Sequence, residues 1–79
     1  MMNLQSKFQT LNKFLNQSLR AAEYRRASLN LDLAREVLQQ IEASTLSNPN
    51  VSETDIESVV KVSRNPVWRI AESRLQTLQ

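Results

Sequence analysis

Residues 4–43, LQSKFQTLNKFLNQSLRAAEYRRASLNLDLAREVLQQIEA, decide the fold because they hold two successive runs of apolar side chains at helical spacing. The first run predicts a helix over about residues 3–25, with one stripe formed by Leu4, Phe8, Leu11, Leu15, Leu19 and Ala22. The second predicts a helix over about residues 29–44, with an inward stripe of Leu29, Leu33, Ala34, Val37, Leu38 and Ile41. Two such stripes can bury each other, so we expect an antiparallel helical hairpin.

The junction between these two helices can be placed in two ways. Arg26 would return to the apolar stripe if the first helix continued, which favours a break between Arg25 and Ser28. Ser28 is then an N-cap, and Asp32 lies in the first turn of the second helix, near the positive end of its dipole. The alternative is one long helix whose apolar stripe shifts sideways.

A linker over residues 45–52 follows the hairpin, within the stretch STLSNPNVSETD. Pro49 disfavours a helical conformation at the residue before it. Ser52 is predicted to be the N-cap of a third helix, because Asp55 follows three residues later in a capping-box arrangement.

Two short helices are predicted after the linker, over about residues 53–62 and 66–78. Val51 and Ile56 are spaced for a hydrophobic staple at the start of the third helix. Asn65 is expected to cap the fourth helix, with Pro66 as its first residue. The inward side chains are expected to be Ile56, Val59 and Val60 on the third helix, and Val67, Ile70, Ala71, Leu75 and Leu78 on the fourth.

Glycine and cysteine are both absent from the 79 residues. The favoured tight β-hairpins need residues at positive φ, mostly glycine, whereas helices joined by Asn, Ser and Pro loops do not. We therefore predict one all-α domain over residues 1–79, a small bundle of three to four helices. A chain of this length builds only a small core, so we also expect a homodimer or another partner.

The composition argues against catalysis. Histidine is absent as well, so the commonest general base and the commonest metal ligand are both missing. Without cysteine no thiolate site can form, and without glycine a phosphate-cradling loop of the usual form cannot be built. We expect no enzymatic activity, no metal and no cofactor.

The sequence also lacks membrane and secretion signals. No run of about 18 apolar residues is present, and the start, MMNLQSKFQTLNKF, lacks the basic end and the apolar stretch of a secretory signal. We expect a soluble cytoplasmic protein with no membrane partner.

Charge is segregated along the chain. The net charge is +4 over residues 1–28, −4 over residues 29–63 and +2 over residues 64–79. Acidic middle helices lying between basic outer helices would account for this, with weak surface pairing. A basic end that faces a polyanion or an acidic partner is the other interpretation.

Residues 55–70, DIESVVKVSRNPVWRI, resemble the helix-turn-helix unit of lac-repressor-type proteins and many small phage and bacterial regulators, a resemblance that extends to residue 72. It implies a turn at residues 61–63 and a miniature core that sets the angle between the two helices, made of Ile56, Val60, Val62, Val67 and Ile70. The chain departs from the family pattern at two positions. The family prefers Ala where this chain has Glu57, and Gly where it has Lys61.

The same resemblance implies a DNA-binding regulator of transcription whose second helix enters the major groove. The base-facing positions would be Ser63, Arg64, Asn65, Trp68 and Arg69. The two arginines would contact guanine edges or phosphates, and Asn65 would pair with adenine. The first helix would add contacts to the DNA backbone through Lys7, Lys13 and Arg20. The residues themselves leave Trp68 open to a second interpretation, a half-buried core aromatic, because it flanks the last apolar stripe.

A second class of function stays open, a protein-binding helical adaptor, chaperone or inhibitor. The partner would bind the N-terminal helical hairpin. Phe14 and Tyr24 lie off the main stripe of that hairpin and would be available for contact.

Overall fold

Residues 4–79 fold into a bundle of four α-helices. The computed structural model describes residues 4–79, and its helices are α1 (Leu4–Arg20), α2 (Tyr24–Ser47), α3 (Glu53–Ser63) and α4 (Val67–Leu78). These residues contain no β-strand, so the predicted all-α bundle is confirmed. Residue 3, where the first helix was predicted to begin, lies outside the described residues. The shape is elongated, 43 × 21 × 15 Å, because α2 alone has 24 residues.

α1 and α2 pack against each other as an antiparallel hairpin, as the sequence predicted. Ser18 contacts Ala27 near the turn, and Lys7 contacts Gln40 towards the other end. The inward residues recur at alternating intervals of four and three: Leu4, Phe8, Leu11, Leu15 and Ser18 on α1, and Ala27, Leu31, Ala34, Leu38, Ile41 and Thr45 on α2. This repeat lets two helices interdigitate their side chains at a small crossing angle.

The inward face of α2 differs from the predicted stripe. Leu29 was expected to face the core and is 59% exposed, whereas Ala27 and Leu31 on the neighbouring face are buried. α2 carries leucines on more than one face, and its register against α1 selects which of them is covered. On the first helix, Ala22 was expected on the stripe and is exposed in the turn.

The turn between α1 and α2 spans residues 21–23, earlier than the predicted break. Both sequence interpretations of this junction are therefore wrong. The chain is not one continuous helix, and Ser28 lies inside α2 rather than at its N-cap. The hairpin closes early because the buried Ser18 hydroxyl donates a hydrogen bond to the Ala27 carbonyl at 2.8 Å. Arg26 is exposed because α2 begins with a different face inward.

The linker between α2 and α3 is shorter than predicted and spans residues 48–52. α2 continues to Ser47 because Thr45, one step further along the four-and-three repeat, is buried. The Asn48 side chain accepts a hydrogen bond from the Asn50 N–H at 2.9 Å, which forms a tight turn. The Ser52 hydroxyl then accepts from the Asp55 N–H at 3.2 Å, so the predicted N-cap is confirmed.

The start of α4 also follows the prediction. The Asn65 side-chain oxygen accepts a hydrogen bond from the Val67 N–H at 2.9 Å. Pro66 has helical dihedral angles, φ −59° and ψ −15°, and its carbonyl accepts from the Ile70 N–H at 3.2 Å. Asn65 is therefore the cap, and Pro66 opens the first helical turn.

α3 and α4 each pack on the hairpin and make few close approaches to one another. Val59 of α3 and Ala71 of α4 are 6% and 1% exposed, because they enter the hairpin core. The predicted miniature core between α3 and α4 is therefore wrong for three of its five residues, since Ile56, Val60 and Ile70 are 43%, 41% and 59% exposed. Val62 and Val67 are half-buried against the main core.

The predicted turn at residues 61–63 is also wrong, because α3 continues through Ser63. The chain reverses direction at residues 64–66 instead. No residue among 4–79 has a positive φ, and Lys61, at the position where the resembling family prefers glycine, lies within α3. The turn between the two short helices therefore lies three residues later than the resemblance implied.

Candidate functional site

An open, mainly apolar cavity of about 340 Å³ lies between the C-terminal end of α2 and one side of α3. We call it the α2–α3 groove, and its apolar side chains and Thr45 define it: Thr45, Leu46, Val51, Ile56, Val59 and Val60. Glu42, Asn48, Ser63 and Arg64 also line it. Several exposed apolar side chains lie around this groove.

Within residues 4–79, six large hydrophobic residues are exposed, and three of them belong to the α2–α3 groove. Leu46 is 85% exposed, Ile56 is 43% exposed and Val60 is 41% exposed. Single exposed apolar side chains are ordinary on a protein surface, but several around one concavity mark a binding surface. The other three, Tyr24, Leu29 and Ile70, do not line this groove.

Local structure holds the two sides of the groove apart. The turn at Asn48 and the N-cap at Ser52 fix the direction in which α3 leaves α2. Val59 anchors α3 to the core, and Val60, the next residue, is turned by about 100° to the edge of the groove. Ile56 lies one turn earlier on the same side as Val60.

The exposed face of α3 beside the groove is polar along its length. Glu53 and Glu57 lie in its first half, whereas Lys61 and the C-cap residue Arg64 lie at its end, and all four are exposed. This order of charges complements the dipole of the helix itself. It also gives the surface an acidic end and a basic end.

The five residues predicted to contact DNA lie together. Together with Pro66 they line a second depression of about 410 Å³. The five residues are Ser63, Arg64, Asn65, Trp68 and Arg69. Arg64, Asn65 and Arg69 are exposed, while Ser63 and Trp68 are half-buried. The α3–α4 junction therefore carries two accessible arginines next to each other.

Two of these five residues have structural roles. Trp68 packs against the core, and its indole N–H donates a hydrogen bond to the Val62 carbonyl at 2.8 Å. The Asn65 side-chain oxygen caps α4, so it is not available for the paired contacts to adenine that need both ends of the amide. Trp68 thus fits the interpretation of a half-buried core aromatic.

The residues predicted on the N-terminal helices lie elsewhere. Lys7 donates a hydrogen bond to Gln40 at 3.4 Å, and Lys13 is exposed further along α1. Arg20 ends α1 at the turn of the hairpin. Phe14, expected to be available to a partner, is half-buried against the core, whereas Tyr24 is 37% exposed.

Sequence reasoning missed the α2–α3 groove because Leu46 was assigned to a linker, and Ile56 and Val60 were assigned to the interior. A signal for the first was available, since the four-and-three repeat continues from Ile41 to Thr45 and carries the helix past Ser44. No signal marked the exposure of Ile56 and Val60, which depends on how α3 meets α2.

No family model matches the chain, and comparison with curated proteins and with solved structures finds no significant match. No helix within residues 4–79 combines the length and the apolar character needed to cross a lipid bilayer. The same residues hold no group of three or more acidic side chains placed to bind a metal ion.

Proposed function

We propose that this protein is a non-catalytic cytoplasmic module that binds another protein segment in the α2–α3 groove. The observation that carries the proposal is the gathering of the exposed Leu46, Ile56 and Val60 around one cavity. This is the protein-binding class of function that the sequence left open. The proposed site, however, lies at the C-terminal end of α2 and on α3 rather than on the face of the N-terminal hairpin.

The chemistry of the groove favours an apolar protein segment as its ligand. Full burial of a valine, leucine or isoleucine side chain contributes about 1.5–3 kcal/mol, and three such groups here are partly exposed to water. The groove lies beside a helix, and an amphipathic helix laid into such a groove is a recurrent mode of recognition. The charged residues Glu42 and Arg64 also line the groove and can orient such a segment.

Photo-crosslinking in cells of the source organism tests the proposal. A benzoylphenylalanine in place of Leu46 should form a covalent adduct with a protein, and the same photoreactive residue in place of Leu29 should not. Leu29 is a matched control, because it is another exposed leucine on α2 that lies outside the groove.

A groove substitution completes that experiment. Val60→Glu, combined with the photoreactive residue at position 46, should reduce the adduct about tenfold, since a charge would replace an apolar contact. Equal adducts from positions 46 and 29, or an adduct that Val60→Glu leaves unchanged, would exclude the groove as the binding site.

A second candidate is DNA binding at the α3–α4 junction, and one observation favours it, the exposure of Arg64 and Arg69 on a shared depression. Both arginines could contact phosphates without the helix-turn-helix arrangement. In a gel-shift titration, binding should weaken steeply with salt, and Arg64→Ala and Arg69→Ala should each reduce the slope by about one unit. Arg25→Ala at the exposed start of α2 is the control, and no retarded band at low salt would reject this candidate.

A further inference from the structure

We infer that the α2–α3 groove receives α3 of a second copy of this chain, with the two α3 helices antiparallel about a two-fold axis. This inference rests on the proposed function and names the partner. The surface that it uses comprises the groove and the exposed charged face of α3 described above.

The apolar part of this surface can pair with itself. A two-fold interface brings the same patch from both copies together, so the patch must complement itself. Ile56 and Val60 are four residues apart and share one side of α3, where each is more than one-third exposed. In an antiparallel pair, Ile56 of each copy lies near Val60 of the other, and Leu46 covers the side nearer α2.

The charges fit the same arrangement. Glu53 and Glu57 are at the beginning of α3, and Lys61 and Arg64 are at its end. When two copies run antiparallel with Ile56 near Val60, Glu53 of one lies opposite Arg64 of the other, and Glu57 lies near Lys61. The two-fold axis makes each of these pairs twice. A parallel pair would instead set glutamate against glutamate and arginine against arginine.

The same charges select against other occupants. The first half of α3 carries Glu53, Asp55 and Glu57, so this end of the helix repels phosphate groups of a nucleic acid or an anionic membrane. Residues 4–20 and 24–47 already use their apolar stripes on each other within one copy. α3 both lines the groove with exposed apolar side chains, Ile56 and Val60, and carries charges whose order along the helix is complementary to an antiparallel copy of itself.

The contact is short, because α3 has 11 residues and spans about 16 Å. Small interfaces are characteristic of weak and transient association. The dimer should therefore dissociate on dilution. Sedimentation equilibrium, extended to about 1 mM chain, should show the mass rising from one copy towards two.

Substitution of one exposed valine tests whether the dimer contact lies in the groove or elsewhere on the surface. Val60→Glu should weaken the dimer by at least about tenfold. Ile70→Glu is the matched control, because Ile70 is an exposed apolar residue of α4 outside the groove, and this variant should dimerise as the parent chain does. Circular dichroism of both variants verifies that each is folded.

Charge reversal tests the electrostatic pairing. Glu53→Arg alone and Arg64→Glu alone each place like charges opposite one another, so each variant should dimerise about tenfold more weakly. The double variant, Glu53→Arg with Arg64→Glu, should recover the parent affinity. A double variant weaker than both single variants would overturn the antiparallel pairing.

Chemical crosslinking tests the orientation, and the absence of cysteine from the chain removes any background. Glu53→Cys and Arg64→Cys chains, mixed with a short bis-maleimide, should give a mixed conjugate. Neither variant alone should give one, because equivalent residues would be about 16 Å apart along the helix axis. Conjugates within each single variant would indicate a parallel pair and overturn the inference.

The outcomes distinguish this inference from the proposed function. A chain that stays monomeric to about 1 mM, yet crosslinks from position 46 to a different protein, would overturn the homodimer and support a heterologous partner. An adduct from position 46 with twice the mass of one chain would support both. A monomer that forms no adduct would overturn both.

Discussion

At the scale of single residues, Ser18 shows how a polar side chain can close a small helical bundle. It lies at an inward position of α1 and is 2% exposed. Its hydroxyl donates to the Ala27 carbonyl at 2.8 Å, and its own carbonyl accepts from the Arg74 guanidinium at 3.2 Å. Three elements, α1, α2 and α4, therefore meet at this one residue.

Removal of this hydroxyl should destabilise the protein measurably. Ser18→Ala should lower the free energy of unfolding by about 1 kcal/mol, because a buried hydrogen bond is lost. Ser18→Val should cost more, about 2 kcal/mol, since a larger branched side chain must also fit a tightly packed site. Urea denaturation followed by circular dichroism measures both values.

Ser58 supplies the control for that comparison. Its hydroxyl also bonds a backbone carbonyl, that of Thr54 at 3.0 Å, but this bond is accessible to solvent. Ser58→Ala should change stability by less than about 0.5 kcal/mol. Equal changes in the free energy of unfolding at positions 18 and 58 would mean that burial does not increase the contribution of the Ser18 hydrogen bond to stability.

At the scale of elements, small side chains set the spacing of the α1–α2 hairpin. Ala27 and Ala34 are 1% and 0% exposed and lie one heptad apart on the inward face of α2. With no side chain beyond the β carbon, they allow α1 to lie close to α2. The hairpin is therefore sensitive to an increase in volume at these positions.

A leucine at one of these positions should force the two helices apart. Ala34→Leu should destabilise the protein by about 1–3 kcal/mol, the usual cost of overfilling a packed site. Ala43→Leu on the same helix is the control, because Ala43 is exposed and its substitution should be close to neutral. The midpoints of urea unfolding give both values, and a neutral Ala34→Leu would contradict close packing of the hairpin.

At the scale of the whole molecule, the distribution of charge along the sequence does not predict which charges pair. Residues 29–63 are acidic and residues 64–79 are basic overall, yet an ion pair between these segments joins Arg35 of α2 to Glu72 of α4. The two side chains are 44% and 50% exposed. The pair is set by where α4 lies on the hairpin rather than by the net charge of the segments.

This ion pair should contribute little to stability. A double-mutant cycle with Arg35→Ala, Glu72→Ala and the double variant should give a coupling energy below about 1 kcal/mol, because water screens both exposed groups. The coupling should fall further at high salt. A coupling of several kcal/mol that persisted in salt would show that the pair, and not the apolar core, holds α4 in place.

The local signals in the sequence were reliable where the chemistry is local. Ser52 and Asn65 cap the helices they were predicted to cap, because a cap depends on a side chain and on backbone groups two or three residues away. The junction after α1 was misplaced because Ser18 acts on a residue nine positions later. Capping signals do not report a contact of that kind.

The candidate site was predictable only in part. The clustering of the junction residues from Ser63 to Arg69 followed from their closeness in sequence. The structural role of Trp68 was one of two interpretations that its flanking position allowed. The exposure of Ile56 and Val60 was not predicted, since each lies on an apolar run that would serve equally well as a core face.

The sequence by itself determined the class of fold and the approximate extent of the helices, because the lack of glycine, the apolar periodicity and the capping residues all act over a few residues. Only the tertiary structure decided which faces are covered. Ala27 and Leu29 lie on different faces of α2, and the face with Ala27 is buried because the small alanine side chain allows α1 to approach closely. In the same way, α3 rests on α2 through Val59 and leaves Ile56 and Val60 at the groove, because burial depends on the neighbouring helix as well as on the side chain itself.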